Sequence, residues 1–252
     1  MEPLRKLIET NRFPPNEIRA KAAVIYREAL VRSRYLDAGN FTRIHPSDLQ
    51  LLFELYDREF FAECFRAAVG GSELRFRISR RMTVAGGHTV RYVSHLRHAV
   101  PRYEIAVSST LLFQAFADES QRTVSACGWP CRDRLEVLQR IFEHELVHLL
   151  ENVAWGSSSC SAQRFQSIAW RFFGHTEHTH RLVTPQERAF VKFRVRRGSR
   201  VRFRIDGREL EGIVNRVTKR ATVLVRDERG TPYSDGWRYA KYYVPVSQLE
   251  VV

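Results

Sequence analysis

The hydrophobic positions in the first third of the chain follow helical spacing. Residues 16–36 carry apolar side chains every three or four positions after two prolines, which suit a first helical turn. A second such stretch covers residues 49–69, where Ser47 can cap the start of the helix and Gly70 and Gly71 can end it. This part of the chain therefore predicts two helices.

The pattern then changes to the alternation that is typical of strands. Residues 74–95 alternate apolar and basic side chains around Gly86 and Gly87, which predicts two strands joined by a tight turn. A third strand is predicted from Arg102, and a short helix over residues 109–116 follows it. The middle of the chain therefore predicts a small sheet.

Helical spacing returns after Asp133, which can cap a helix that ends before Gly156. A serine-rich loop and a second helix over residues 162–173 follow, and residues 174–180 read GHTEHTH. From Gly198 onward, short strands separated by Asp-Gly and Arg-Gly pairs are typical of a small β-barrel module. We expect the boundary between the two parts to lie in residues 184–195.

The five residues HELVH lie inside the helix that follows Asp133. His144 and His148 are four positions apart, so both imidazoles leave one face of the helix and can bind one Zn²⁺ ion. Glu145 can take a proton from an attacking water and pass it to a leaving amine. Two histidines and two glutamates are costly in an apolar helix unless something is coordinated there. The motif therefore predicts a single catalytic zinc ion.

Composition and charge narrow the class of protein. The 252 residues are 44% hydrophobic and 12% aromatic, which argues against a disordered chain, and no apolar run is long enough to span a bilayer. The N-terminus shows no secretory signal, so we expect a cytoplasmic location, with the nucleoid as a further site, and no membrane partner. The net charge is +13, and residues 191–252 hold 15 Lys and Arg against 7 Asp and Glu, an excess of +8. This excess favours a nucleic acid as partner, with a solvated basic surface as the alternative.

Several segments, in this order, resemble the SprT-like zinc metallopeptidases, the family of the DNA-protein crosslink protease Spartan. They are RRMTVAGGHT, RYEIAVSSTLLFQAF, HELVH and the aromatic Phe165 near the start of the next helix. The resemblance covers residues 46–182. Bacterial members that carry SSC-S-x-x-RF, FGHTxxTH and a segment similar to ATVLVRDERGTPYSDGWRYAKYYVP extend it to the C-terminus.

The resemblance implies an α+β fold and a zinc endopeptidase activity. With the helical pattern at the N-terminus, it divides the chain into a helical segment over residues 1–45, a zincin-like metallopeptidase domain over residues 46–185, and a basic SH3-like β-barrel module over residues 195–252. It also implies protein substrates that are bound or crosslinked to DNA. The basic module would then deliver the enzyme to nucleic acid.

The third zinc ligand is where the sequence departs from the family. SprT-like domains place a histidine at the start of the following helix, and this sequence has Ser161 there, a poor zinc ligand. The adjacent Cys160 is a good one, because a thiolate binds zinc strongly. We therefore predict a site of His144, His148 and Cys160 with a water in the fourth position. His175 is the alternative third ligand.

The remaining histidines and cysteines have less defined roles. The histidines of GHTEHTH, which include His178 and His180, can stabilise an oxyanion, support the zinc ligands or simply end a helix. Cys127 and Cys131 have no second cysteine pair, so buried thiols are favoured over a separate zinc site. Cys64 is predicted to lie in the core.

The basic residues near the C-terminus form a candidate nucleic-acid site. Arg200, Arg202 and Arg204 alternate with apolar residues along one predicted strand and should share its outward face. Lys219 and Arg220 follow at a predicted turn, and nearby tyrosines and a tryptophan offer stacking surfaces for bases or for a peptide. The alternative is a barrel whose aromatic residues fill its core and whose arginines keep it soluble.

Two functions from different classes fit these patterns. The first is a zinc endopeptidase with Glu145 as its general base. The second is a nucleic-acid-binding protein in which the zinc ion is structural and closed by four protein ligands, for example His144, His148, Cys160 and one histidine of GHTEHTH. Replacing Glu145 with glutamine separates the two, because only the first depends on its proton transfer.

Overall fold

The computed structural model describes residues 2–93, 100–116 and 124–252, apart from the side chains of His180 and Arg181. The chain divides into two compact units, Met1–Leu182 and Val183–Val252. Its secondary structure is mixed, which confirms the predicted α+β class. Ser94 and His95, at the end of the predicted second strand, lie outside the described residues. Within these ranges, no helix is both long and apolar enough to cross a membrane.

The first unit contains helices and two small three-stranded sheets. In chain order they are α1 (Glu2–Thr10), α2 (Pro15–Arg32), α3 (Pro46–Phe61), α4 (Cys64–Val69), β1 (Leu74–Ser79), β2 (Gly87–Tyr92), β3 (Arg102–Ser108), α5 (Ser109–Gln114), β4 (Val124–Ala126), β5 (Trp129–Cys131), α6 (Arg134–Trp155), α7 (Gln163–Phe173) and β6 (His180–Arg181). Their apolar faces form one core that includes most of α6. The second unit has its own core.

The second predicted helix is two helices in the structure. α3 ends at Phe61, and Ala62 and Glu63 take positive φ angles of 47° and 61°, which a continuous helix does not allow. The Asp57 carboxylate accepts hydrogen bonds at 2.9 Å from the N–H groups at the start of α4, of which the first belongs to Phe65. A side chain from within α3 therefore caps α4 and stabilises the break.

The ends of the helices follow local capping rules in most places. The predicted end at Gly70 and the predicted limits of α6, Asp133 and Gly156, are confirmed. The predicted cap at Ser47 is wrong, because His45 is the residue that caps α3 and its ring accepts from the Ser47 N–H at 3.2 Å. A proline in the first turn moves the cap two residues earlier than the serine suggests.

The predicted hairpin of β1 and β2 is wrong. The strand order is β1-β3-β2, with β1 parallel and β2 antiparallel to the central strand β3. Residues 105–108 of β3 are all buried, as in a strand that is covered on both faces of the sheet. In contrast, β1 and β2 each have one more exposed face. The burial of β3 is therefore consistent with its central position in the strand order. β4 pairs with β5 and β6 in a separate small sheet.

The second unit is a helix and an open antiparallel sheet. Its elements are α8 (Pro185–Phe193), β7 (Arg200–Ile205), β8 (Arg208–Val217), β9 (Ala221–Pro232), β10 (Arg238–Val244), a 3-10 turn (Val246–Gln248) and β11 (Glu250–Val251). The order is β10-β9-β8-β7-β11, so the sheet does not close into the predicted barrel. Pro245 cannot donate a backbone hydrogen bond, and the 3-10 turn carries the chain across to the opposite edge.

Candidate metal centre

Helix α6 presents the two histidines of HELVH on one face. Its first turn is held by Asp133, whose carboxylate accepts from the Glu136 N–H at 2.9 Å, and Gly156 ends it with a φ of 77°. Its apolar side chains are almost completely buried, so the helix is fixed in the core. His144 Nε2 and His148 Nε2 then lie 3.2 Å apart. The two imidazoles therefore converge on one point.

Cys160 comes from the loop between α6 and α7 and joins the two histidines. One ligand atom from each of His144, His148 and Cys160 lies within 4.8 Å of the others. Two nitrogens bound to zinc at ~2.0–2.1 Å with a tetrahedral angle are about 3.3 Å apart, which matches the distance between the two Nε2 atoms. Two nitrogens and one sulfur are donors that zinc favours. The geometry and the donor set therefore fit a zinc ion.

A chain of hydrogen bonds fixes the tautomer of His148. Ser158 Oγ lies 2.7 Å from His148 Nδ1 and 2.5 Å from Glu151 Oε2. Because a carboxylate only accepts, the Ser158 hydroxyl donates to Glu151 and its oxygen accepts from the Nδ1–H of His148. The lone pair of His148 is then on Nε2, and burial lowers the pKa of His148 to about 4. The ring is therefore neutral near pH ~7 and ready to bind a metal.

The Glu151 carboxylate also connects α7 to this site. Arg164 donates from Nε to Glu151 Oε1 at 2.5 Å and from Nη2 to the Ser157 carbonyl at 3.0 Å. The Phe165 ring packs on both imidazoles, with centroid distances of 4.8 Å to His144 and 4.5 Å to His148. The loop that carries Cys160 is therefore held at both of its ends.

Sequence reasoning did not identify the supporting residues Ser158, Glu151 and Arg164. A signal was present for Glu151, which follows His148 by three positions and therefore lies on the same helical face. Its side chain is completely buried, so it requires hydrogen-bond partners. The identity of those partners depends on how the loop folds back, and spacing alone does not contain that information.

Glu145 faces β2 and is 2% exposed. The Thr89 hydroxyl donates to Glu145 Oε2 at 2.7 Å. Gly87 leaves room for the carboxylate, since a Cβ atom at that position would lie 2.5 Å from Glu145 Oε1. Burial raises the pKa of Glu145 to about 8, and the hydrogen bond from Thr89 offsets part of this shift. The group can therefore gain and lose a proton near neutral pH, as a general base must.

His175 lies in a different buried network, on another side of α6. Its Nε2 atom is 2.8 Å from Glu143 Oε2, and Glu143 also accepts from the Tyr56 hydroxyl at 2.7 Å and pairs with Arg140 at 2.8 Å. Burial lowers the pKa of His175, so the neutral ring donates its Nε2–H to Glu143. The structure thus brings Cys160, and not His175, to the two histidines. His178 is exposed and outside the group, and the side chain of His180 is not described.

The other cysteines are in apolar surroundings. Burial raises the pKa of Cys127 well above its usual value and that of Cys131 to about 12, so both remain thiols. Cys64 is half-buried against the core of the first unit. Across the described ranges, His144, His148 and Cys160 form the only group of three or more His, Cys, Asp and Glu side chains with metal-binding spacing.

The five cations predicted to contact nucleic acid differ in their surroundings. Arg202 pairs with Glu211 at 2.7 Å, and Arg204 pairs with Glu209 at 3.3 Å, in both cases across β7 and β8. Arg200, Lys219 and Arg220 are exposed, the last two at the turn between β8 and β9. The predicted cationic strip on β7 is therefore partly neutralised by the adjacent strand.

Comparisons with known proteins gave no relatives. No family model, no curated protein and no solved structure matches the chain. The chemistry assigned to this protein therefore rests on the side-chain geometry of the His144, His148 and Cys160 group and on the environment of Glu145.

Proposed function

We propose that this protein is a zinc-dependent endopeptidase of the HExxH type, with a zincin-like fold in its first unit. The observation that carries the proposal is the convergence of His144, His148 and Cys160, with the buried Glu145 next to the first of them in the sequence. Three protein donors leave one position of a four-coordinate ion for water or substrate, which is typical of catalytic zinc sites.

The chain supplies a general base and holds it in place. A zinc ion bound by the three donors would supply a Lewis acid that polarises the peptide carbonyl and acidifies a water molecule. Glu145 takes a proton from the attacking water as the water oxygen forms a bond to the carbonyl carbon. The same carboxyl group gives that proton to the amide nitrogen as the C–N bond breaks, which restores Glu145. Thr89 and Gly87 keep the carboxylate in its place throughout.

The proposed substrates are proteins bound or crosslinked to DNA. Two features support this choice: the resemblance to SprT-like peptidases, and the excess of +8 in residues 191–252. A cationic unit raises the local concentration of the enzyme on a polyanion through counterion release. Specificity would then come from location on nucleic acid, without a tight pocket for one side chain.

The alternative is a nucleic-acid-binding protein with a structural zinc ion. That function needs a fourth protein ligand, and GHTEHTH was its proposed source. Within the part of the chain that the structure describes, His175 donates to Glu143 and His178 is exposed, so neither joins the other three donors. This observation favours the catalytic arrangement over the closed one.

The first prediction is that Glu145→Gln abolishes cleavage and keeps the metal. Glutamine preserves the shape of the side chain and cannot accept the proton, so we expect a loss of roughly 100-fold or more in the rate of protein cleavage. Bound zinc should stay at one ion per chain. The measurement is cleavage of a DNA-binding protein by the zinc-loaded full chain, with and without DNA, together with metal analysis.

Glu136→Gln is the matched control, because Glu136 lies on the same helix and does not belong to the metal group of His144, His148 and Cys160. It should cleave at close to the wild-type rate. Equal activity of Glu145→Gln and wild type would contradict the assigned role. An inactive wild type whose zinc has four protein ligands by X-ray absorption would establish the alternative function instead.

A further inference from the structure

The outward face of the sheet in the second unit has two halves of different character. On β7 and β8, Arg202 and Arg204 are neutralised by Glu211 and Glu209. On β9 and β10 the outward positions from Thr222 to Arg226 and from Tyr239 to Tyr243 carry no carboxylate, and Asp227 and Glu228 follow Arg226 on β9. The register places Tyr239 opposite Arg226 and Lys241 opposite Leu224, with Thr222 opposite Tyr243 at the far end.

Large aromatic side chains on the second half are open to solvent. Trp237 is 52% exposed and Tyr243 is 62% exposed, whereas the alternate residues of β10, such as Val244, pack in the core of the unit. Exposed aromatic rings beside cations are the surfaces on which unpaired bases stack in proteins that bind single strands. We define the aromatic-cationic face by Arg226, Trp237, Lys241 and Tyr243.

Cations of this face lie against two aromatic rings, those of Trp237 and Tyr233. The Arg226 guanidinium carbon is 3.8 Å from the Trp237 ring centroid, and Lys241 Nζ is 5.6 Å from the Tyr233 ring centroid. Asp235 fixes the turn that carries Trp237, since it accepts from the Trp237 N–H at 3.1 Å and from the Tyr239 hydroxyl at 2.8 Å. The Trp237 ring is therefore positioned before any partner binds, which lowers the entropic cost of stacking on it.

The face continues into further positive charge. Tyr243 pairs with Thr222, two positions after the exposed Arg220 at the turn between β8 and β9. At ~3.3 Å per residue, the Cα atoms of Tyr239 and Tyr243 are about 13 Å apart, so the face spans several nucleotides. Among the described residues, Arg220, Arg226 and Lys241 form no ion pair with a carboxylate.

We propose that the aromatic-cationic face binds single-stranded nucleic acid, with bases stacked on Trp237 and Tyr243 and phosphates near Lys241 and Arg226. The inference rests on the proposed nucleic-acid role of the second unit and is independent of the peptidase activity. Stacking requires unpaired bases, because those of a duplex are covered by their neighbours. The positive charge of the face favours a nucleic acid, which is a polyanion, over an uncharged peptide.

The test is fluorescence anisotropy of a labelled oligothymidylate of about 20 nucleotides, longer than the ~4–16 nucleotides that a small β module covers. The full chain is used, with its fold checked by circular dichroism. Trp237→Ala should weaken binding roughly 5- to 150-fold, the range that corresponds to ~1–3 kcal/mol for one stacked base. Trp237→Phe should restore part of the affinity. Trp170→Ala, which removes an exposed tryptophan from α7, should leave affinity unchanged.

Two variants that each lose one positive charge distinguish a contact on this face from general electrostatic attraction. Lys241→Gln and Lys6→Gln each remove one positive charge, but Lys6 is an exposed residue of α1 in the first unit. Lys241→Gln should lower affinity and reduce the slope of log affinity against log salt by about 0.7, the value for one phosphate contact on a single strand. Lys6→Gln should do neither.

Two results would overturn the inference. One is equal loss of affinity in each variant and its control, and the other is tighter binding of a duplex of the same length than of the single strand. Because binding is measured without hydrolysis, either result leaves the zinc peptidase proposal intact. Conversely, an inactive enzyme that binds the oligonucleotide through Trp237 would refute only the peptidase.

Discussion

At the scale of single residues, one hydroxyl group joins the candidate metal ligands to a buried charge. Ser158 accepts from His148 and donates to Glu151, and it belongs to the same loop as Cys160. The position of the loop and the tautomer of the imidazole are thus set by the same contact. A metal ligand whose other ring nitrogen is hydrogen-bonded in this way binds its metal more tightly.

Ser158→Ala should therefore weaken zinc binding by roughly 10- to 100-fold, the usual effect of removing such a partner. Ser159→Ala is the control, because Ser159 is exposed and its side chain is hydrogen-bonded only to the Ser161 hydroxyl among the contacts described. Competition with a coloured chelator measures both affinities. Identical affinities in the two variants would show that Ser158 does not orient His148.

The burial of Glu145 predicts a pH dependence in the zinc-free protein. Its pKa in the folded state is about 8 against the usual 4.5, so the folded state holds a proton that the unfolded state loses between these values. The stability that the folded state gains from protonated Glu145, relative to ionised Glu145, is fully present below pH 4.5 and is lost as the pH rises through about 8. At ~1.4 kcal/mol per pKa unit, the loss amounts to a few kcal/mol.

Glu145→Gln cannot titrate and should lack this loss. The measurement is the free energy of unfolding in urea, with a chelator present, for both proteins between about pH 5 and about pH 9. The stability of the variant should exceed that of the wild type increasingly as the pH rises. Parallel pH profiles would mean that Glu145 is ionised in the folded state at all these pH values.

At the scale of elements, the contact between β2 and α6 determines where the general base lies. Gly87 approaches Glu145 so closely that a Cβ atom would overlap its carboxylate. The carboxylate is the far end of a side chain, so it would be displaced before the strand moved. The close approach of the strand to the carboxylate is therefore the reason for a glycine at this position.

Gly87→Ala should lower the cleavage rate more than it lowers stability. Overpacking costs typically ~1–3 kcal/mol, whereas a displaced base loses most of its catalytic effect. Gly71→Ala is the matched control, because nothing lies within 4 Å of a Cβ atom at that position. Cleavage rate and unfolding free energy are measured for both. Unchanged cleavage by Gly87→Ala would show that the carboxylate has room to adapt.

The sequence predicted individual elements better than their arrangement. Helical spacing and the caps at Asp133 and Gly156 identified α6, because these signals are local. The order β1-β3-β2 was missed because it depends on which strand is covered on both faces. The break after Phe61 was missed because its cap, Asp57, lies within the preceding helix.

The candidate site shows the same difference between local signals and contacts that depend on the fold. Helical spacing predicts that His144 and His148 share a face, and the chemistry of thiolates favours Cys160 over Ser161. Ser158 and Glu151 were not found, because their role appears only when the loop folds back onto α6. On β7, alternation predicts which way Arg202 points, but cannot indicate that Glu211 of the next strand neutralises it.

At the scale of the whole molecule, the chain forms two compact units with separate cores. The metal group is contained in the first unit, and the aromatic-cationic face is contained in the second. Metal binding stabilises only the folded state of the part to which it is coupled. The two units should therefore respond differently when zinc is removed.

Removal of zinc by a chelator should increase amide hydrogen exchange in α6 and in the loop between α6 and α7. Peptides from residues 198–252 should keep their exchange rates and act as an internal control. Hydrogen exchange with mass spectrometry resolves both regions in one experiment. An equal increase in both, or none in α6, would contradict metal binding by His144, His148 and Cys160.

The three consecutive residues Glu143, His144 and Glu145 face three different environments on α6: the network of Tyr56, the metal group and β2. Each residue added to or removed from a helix turns everything beyond it by about 100°. An insertion or deletion between Asp133 and Glu143 would thus turn all three residues out of their environments at once. The length of the helix between Asp133 and Glu143 is therefore a requirement of the site in its own right.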